Sequence, residues 1–215
     1  NPQGNDFSVL LPDTIAHTAM KIVFATGNRN KLKEVQALVG PRVELSTPAD
    51  HGITEDIPEN QPTLEGNALQ KARYIYEKTG LNCFADDTGL EVEALGGEPG
   101  VFSARYAAVN GAGEGHSSEA NMALLLDRLA GVENRRARFR TVFALILDGR
   151  EHLFEGVVEG VITSARTGSD GFGYDPIFRP TGYDQTFAEM PLSLKNSISH
   201  RARATTKLID FLSTL

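Results

Sequence analysis

A single cysteine, Cys83, occurs in the 215 residues. One cysteine makes no internal disulfide and builds no zinc site from thiolates alone. No apolar run approaches the roughly 18 residues that a membrane-spanning helix needs. The first 19 residues contain no Lys or Arg. A secretory signal needs a positive n-region and a transit peptide is Arg-rich, so neither fits, and Val9-Leu10-Leu11 is too short for either role. Positive charge is also in short supply: 21 Lys and Arg stand against 28 Asp and Glu, a net charge of −7. A non-specific nucleic-acid binder needs a basic surface to neutralise phosphates, so the acidic balance argues against that class. A small phosphorylated ligand is not excluded, because it needs only a local basic pocket. Internal repeats and low-complexity tracts are also missing.

What is present is the profile of an ordinary globular protein, 40% hydrophobic and 23% charged, with enough chain for one large domain or two tightly joined lobes. Strong pattern begins at Met20. The expected organisation is therefore a leader or extension over 1–19 and one domain over 20–215; the alternative keeps the leader as an edge strand or packed arm. Lys21 to Ala25 reads as a buried strand, Thr26-Gly27-Asn28 as a turn, and Lys31 to Val39 as a helix stopped by Gly40-Pro41. Val43 to Leu45 predicts a second strand, and residues 46–62 an acidic loop. Thr63 caps a helix with Leu64, Ala68, Ala72 and Ile75 inward, ending near Gly80. Cys83 to Ala85 predicts a short strand feeding a turn at Asp86-Asp87-Thr88-Gly89, with another short strand at Leu90 to Glu93 in an otherwise irregular stretch. Ser117 or Ser118 opens a helix bearing Met122, Leu125, Leu126 and Leu129. Asp148-Gly149 joins two strands, Arg138 to Leu147 and His152 to Ile162, as a hairpin. Residues 166–186 read as loop, and a last helix runs from about Ser199 to Leu212. Interleaved helices and strands with one hairpin predict an α/β fold with a mixed sheet.

Five places could carry chemistry. Thr26-Gly27-Asn28-Arg29-Asn30-Lys31, a strand-to-helix turn, offers backbone N–H groups to a phosphate, or is a plain Asn-rich turn; it lacks the second glycine of a Walker A loop. Asp86-Asp87, with Glu59 in the acidic loop, could supply carboxylates to Mg²⁺, or serve only as turn residues. Period-2 geometry sends the two aspartates to opposite faces. Asn67 and Lys71 share a helix face and either reach a cleft or form a boundary stripe. Gly171-Phe172-Gly173-Tyr174-Asp175-Pro176 suggests a stacking ring with an acceptor, or a turn with a core Phe. Lys195 precedes His200 and Arg201, and these two fall in the first turn of the last helix, where cations oppose its dipole. A bound anion would offset that cost; the alternative is a Ser199 cap with solvated neighbours. Taken together, these are the parts of a Mg²⁺–nucleotide enzyme.

Six ordered motifs then carry a likeness: Thr26–Lys31, Glu65–Ala72, Ala85–Leu90, Pro99–Tyr106, Gly171–Pro176 and Ser199–Arg201. Over about residues 20–215 the chain resembles the non-standard purine nucleoside triphosphate pyrophosphatases, the ITPase or XTP/dITP diphosphatase family. Thr88 stands where many members have Ser, and Gly66 is unusual inside a helix. The resemblance implies a two-lobed α/β fold, a long mixed sheet flanked by helices, an active cleft between the lobes and a homodimer. It implies hydrolysis between the α- and β-phosphates of dITP, ITP or XTP in the cytoplasm, with Mg²⁺ as cofactor. Carried over by position, Thr26, Gly27, Asn28, Arg29, Asn30, Lys31 and Lys71 meet phosphates, and Glu59 and Asp87 serve Mg²⁺. Asp87 is the proton acceptor. Thr88, Phe172, Gly173, Tyr174, Asp175, Lys195, His200 and Arg201 contact the nucleotide. The competing readings are a pyrophosphatase for other modified nucleotides and a module that binds nucleotide without turnover.

Overall fold

Ile22, Val23 and Phe24 are buried in strand β1 (Met20–Phe24), which starts the part of the chain that the computed structural model describes, residues 18–215. The expected leader, apart from its last two residues, lies outside those residues. Asn28 then caps helix α1 (Arg29–Val39). The chain returns through β2 (Val43–Ser46), parallel to β1 with Met20 opposite Val43. Thr63 caps helix α2 (Leu64–Thr79), which buries Leu64, Ala68, Ala72 and Ile75 as the spacing predicts and stops at Gly80. Gly66 is explained by a close approach: a Cβ there would sit 2.9 Å from Cβ of Gln61. Strand β3 (Cys83–Val92) follows, parallel to β1 through Val23–Cys83 and Phe24–Phe84.

The first crossover carries α1 to one side of β1 and the second carries α2 to the other, so the two helices cover opposite sheet faces. Such a reversal opens a crevice at the carboxyl end of the first strand, where open α/β sheets bind ligands. β1 stops opposite Phe84. Beyond it, the edge of β3 from Ala85 to Leu90 has no strand partner among the described residues and faces that crevice, until Glu91 bridges Pro99.

The strand reading needs one correction here. Residues 83–92 are not two short strands around a turn but one ten-residue strand, and Asp86 and Asp87 lie in its middle. The turn preference of Asp-Asp-Thr-Gly loses to a complete antiparallel ladder with strand β4 (Arg136–Leu147), from Cys83–Ile146 to Val92–Ala137. Both carboxylates also have polar partners, so their burial is compensated.

The rest of the chain builds the second lobe. A 3₁₀ turn at Gly100–Arg105 leads into the short helix α3 (Tyr106–Val109), then Ser117 caps α4 (Ser118–Arg128). β4 turns into β5 (Arg150–Ile162) through Asp148 and Gly149, whose φ values of 49° and 80° are those of a tight hairpin. A short strand β6 (Phe178–Pro180), in a stretch read as loop, pairs with β5. Helices α5 (Leu192–Ile198) and α6 (His200–Leu212) end the fold. The sheet has six strands in the order β2-β1-β3-β4-β5-β6. It is mixed, as expected, parallel on one side and antiparallel on the other.

Two cores cover the first lobe, one under α2 and one under α1 and α6. A third, with Leu90, Tyr106, Met122, Phe139, Phe178 and Phe187, fills the second lobe. Among the described residues, no helix is long and apolar enough to cross a membrane.

Candidate active site

A cleft of about 290 Å³ lies between the lobes, near the lower size limit of small-molecule sites. From the first lobe it takes Asn28, Asn30 and Lys31, and from β3 Thr88; Phe172 to Asp175, Lys195, His200 and Arg201 close it. Eleven of the expected residues thus meet in one place, although they come from both ends of the chain. A wider, open concavity of about 670 Å³ lies on the outer face of the second lobe and holds none of them.

A buried chain of alternating charge backs the cleft. Lys31 pairs with Asp86 at 3.2 Å, and Asp86 faces Arg201 at 3.7 Å. Arg201 pairs with Glu34 at 2.6 Å, Glu34 with Lys195 at 2.6 Å, and Lys195 with Asp175 at 2.7 Å. Three cations and three carboxylates cancel. Burial opposes ionisation of Asp86, but Lys31, Arg201 and Lys71 outweigh it and hold the carboxyl down at about 2. Burial likewise acts against Glu34, and Arg201 and Lys195 bring its pKa below the ordinary carboxylate value.

This chain corrects one expectation about α6. His200 and Arg201 are buried, 3% and 1% exposed, and not solvated neighbours of a cap. Carboxylates of the protein, Glu34 above all, offset the dipole cost of Arg201. His200 is neutral, because burial and then the nearby Arg201 and Lys195 push its pKa well below 6.5. Its ring stacks on Phe139 at 4.7 Å. Gly156 of β5 allows this placement: a Cβ there would strike the His200 carbonyl and the Ala204 amide. Among the described residues, Nδ1 of His200 and Nε of Arg201 are buried without a hydrogen-bond partner. Such orphaned groups at a cleft fit a polar ligand edge.

Glu34 was not anticipated. It lies three positions after Lys31, on the same helix face and beside the inward-pointing Val35, and that adjacency was the available signal.

Other expected residues are used differently. The Asn28 side chain accepts from the amides of Asn30 and Lys31 at 2.9 and 3.2 Å, and the Asn28 amide donates to Oγ1 of Thr26 at 3.0 Å. These amides are occupied, not open as expected; within the described residues only those of Gly27 and Arg29 in this turn lack a partner. Thr26, Gly27 and Arg29 do not line the cleft, and Arg29 is exposed. Asp175 holds Lys195 and the Phe172 amide, 3.0 Å away, so its acceptors serve the loop. Tyr174 donates to the Ser103 carbonyl at 2.6 Å. The Phe172 ring lies 4.8 Å from the Lys195 ammonium and 5.4 Å from the Arg201 guanidinium, so two cations brace it. Thr88 shares its hydroxyl with Asp86, Thr141 and Arg201.

Asp87, Glu59 and Lys71 form a second group next to the cleft. The Lys71 ammonium donates to Glu59 at 3.0 Å and to the Asp86 carbonyl. It is therefore one residue removed from Lys31, which holds the Asp86 side chain. Asp87 and Asp86 do point to opposite sides, as the strand period requires. Burial raises the Asp87 carboxyl to about 7; Lys71 works against this and the adjacent Glu59 adds to it. Burial opposes ionisation of Glu59, but Lys71, the hydrogen bond with Asp87 and Lys31 together lower its pKa. Among the described residues, no group of three or more His, Cys, Asp or Glu is arranged for a metal ion. Two crowded carboxylates with lysines alongside still fit Mg²⁺, which takes one or two carboxylates and fills its shell with phosphate oxygens and water.

Fold and site define a mixed-sheet α/β protein with a charged cleft between two lobes and a carboxylate pair beside it. Residues 22–211 match the Ham1 family, and the chain belongs to that family. It is 50% identical over 194 residues to a dITP/XTP pyrophosphatase of Flavobacterium johnsoniae, covering 90% of this chain and 98% of that one. It is 52% identical over 193 residues to the dITP/XTP pyrophosphatase of Porphyromonas gingivalis, covering 89% and 97%. The solved Ham1 protein of Staphylococcus aureus superposes with a TM-score of 0.80 at 37% identity, over 90% of this chain and 98% of that one.

Proposed function

We propose that this chain hydrolyses the non-standard purine nucleoside triphosphates dITP, ITP and XTP to the monophosphate and pyrophosphate, clearing them from the nucleotide pool. The observation that carries this reading is the Glu59–Asp87 carboxylate pair, with Lys71 and Lys31 alongside, directly beside a cleft walled by Phe172, His200 and Arg201. The base enters the cleft against Phe172, and the triphosphate extends toward Asn28–Lys31 and Lys71. Water is a poor nucleophile, so a carboxylate must orient it and take its proton as it attacks the α-phosphorus. Asp87 does this. Burial and the neighbouring Glu59 raise its affinity for a proton when no metal is bound, in the direction a base needs.

Glu59 and Asp87 would hold Mg²⁺. When bound, the ion neutralises charge on the phosphates and the departing pyrophosphate. Lys71 and Lys31 add to that stabilisation. Arg201 has only donors, so it satisfies a 6-oxo group and leaves the 6-amine of adenine mispaired. A mispaired buried group costs about 1–3 kcal/mol, which favours ITP over ATP. Thr26, Gly27 and Arg29 belong to the phosphate side of this reading, and Tyr174 and Asp175 act by shaping the base loop. We read residues 20–215 as one two-lobed domain, assembled as a homodimer and working in the cytoplasm, where its substrates arise.

Product analysis with dITP tests the proposal. Release of pyrophosphate is expected, with kcat/KM for ITP far above that for ATP and loss of turnover in excess chelator. Orthophosphate release, or equal kcat/KM for ITP and ATP, would overturn it.

A further inference from the structure

Asn67 is only 3% exposed, yet it lies on a helix whose neighbouring positions grip a loop. Gln70 accepts from the Asn60 amide at 3.0 Å, and Lys71 holds Glu59 at 3.0 Å. Asn67 makes the third grip, with Oδ1 accepting from the Gln61 amide at 2.8 Å. Lys71 also reaches β3, at the Asp86 carbonyl, but alone of the three Asn67 bonds a carboxyl there: Nδ2 donates to Oδ2 of Asp87 at 3.0 Å. The other carboxyl oxygen of Asp87 accepts from the Thr88 amide at 3.1 Å. The partners fix the amide orientation, because a backbone N–H needs an oxygen opposite it and a carboxylate needs a donor.

We propose that Asn67 is a positioning residue for the hydrolytic reaction: it locks the Asp87 carboxyl in one orientation and ties it to the loop that carries Glu59. This rests on the pyrophosphatase reading above. The two carboxylates belong to different segments, a loop and a strand, and no backbone hydrogen bond joins residues 54–62 to β3. Lys71 and Asn67 bridge the two segments, and of these Asn67 is the one that bonds the Asp87 carboxyl. Freedom of about 1 Å there would matter, since a misplacement of that size can cost a reacting group on the order of 10²-fold in rate.

The expected size follows from other side chains that orient a reactive group, whose loss costs about 10–100-fold. Two variants separate positioning from folding. Asn67→Asp keeps the volume and the acceptor for Gln61 but sets an oxygen against Oδ2 of Asp87. Asn67→Ala removes both bonds. Both should lower kcat for dITP at least about tenfold, with KM within about threefold of the parent, because the nucleotide-binding wall is untouched. The decisive measurement repeats Asn67→Ala in an Asp87→Asn background. If Asn67 works through Asp87, the second substitution adds less than about twofold.

Three outcomes overturn the proposal. One is an Asn67→Ala enzyme with kcat within about twofold of the parent. Another is a loss that keeps its full size in the Asp87→Asn background, which marks a structural role only. The third is a parent protein that releases no pyrophosphate from dITP, which removes the functional reading itself and is distinguished by involving no variant.

Discussion

Glu34 of α1 and Arg201 of α6 meet at 2.6 Å across 167 residues of sequence. The contact joins the helix that begins the phosphate side of the cleft to the helix that begins its base side. Lys195 adds a second cation to the same carboxyl. Both cations are nearly out of water, so the carboxylate is the condition on which they can be there at all.

Glu34→Gln should therefore destabilise the fold strongly. Removing one member of a buried ion network leaves the rest uncompensated, at about 3–5 kcal/mol. For a chain of this size that is a Tm lower by on the order of 10 °C. Thermal unfolding followed by circular dichroism measures it. A drop of under about 2 °C would mean that the cations find other partners.

Asp86→Asn and Asp87→Asn should fail in different ways. Asp87→Asn loses the proton acceptor, so kcat falls by about 10²–10⁴-fold while dITP still binds. Asp86→Asn strips charge from between Lys31 and Arg201 and should act first on stability and KM. Calorimetric Kd for dITP beside kcat for each variant separates the two. Reversed behaviour would exchange the roles of the neighbours.

His200 gives the stability a pH dependence of known sign. Burial, then Arg201 and Lys195, depress its folded pKa well below 6.5. Above the unfolded value neither state binds a proton there, and no penalty exists. As pH falls through about 6.5 the unfolded chain gains a proton that the native one refuses, and stability drops by up to about 1.4 kcal/mol per pH unit. The carboxyl of Asp86, held near 2, titrates far below this window, but that of Asp87, raised to about 7, takes up a proton within it in the native state and so acts with the opposite sign. The contribution of His200 is therefore read as a difference: urea unfolding of the parent and of His200→Asn between pH 7.5 and about 5.5 should show the parent losing stability relative to the variant as pH falls. Parallel profiles would show that the native imidazole takes up the proton.

Gly156→Ala should displace the start of α6. The added methyl meets backbone, which cannot rotate aside. Overpacking of this kind costs about 1–3 kcal/mol. Because His200 and Arg201 begin at that contact, KM for dITP should rise as Tm falls. A variant with both values unchanged would mean that helix and sheet separate without cost.

Several features could be read from the residues. Thr63, the apolar spacing of α2 and Gly80 marked that helix because local propensity and burial agree there. Asp148-Gly149 marked the hairpin for the same reason. β3 was misread because its Asp-Asp-Thr-Gly segment has turn chemistry locally, and only the β4 ladder, more than fifty residues away, overrides it. The Asn28 cap was missed because a polar turn looks alike whether its amides face a ligand or its own side chain. Glu34 escaped notice because a charged residue beside an apolar stripe is ordinarily solvated, and its partners lie at the far end of the chain.

β3, β4 and β5 each place side chains in the core of both lobes: Ala85 and Leu90, Val142 and Phe139, Phe154 and Val158. No flexible tether separates the walls of the cleft at those strands; the same hydrogen-bonded ribbon forms both. Any change in the width of the cleft must then bend or twist the ribbon itself. Neither lobe can melt without unzipping strands that the other depends on, so slowly exchanging amides at the two ends of β4 should report a single shared opening event.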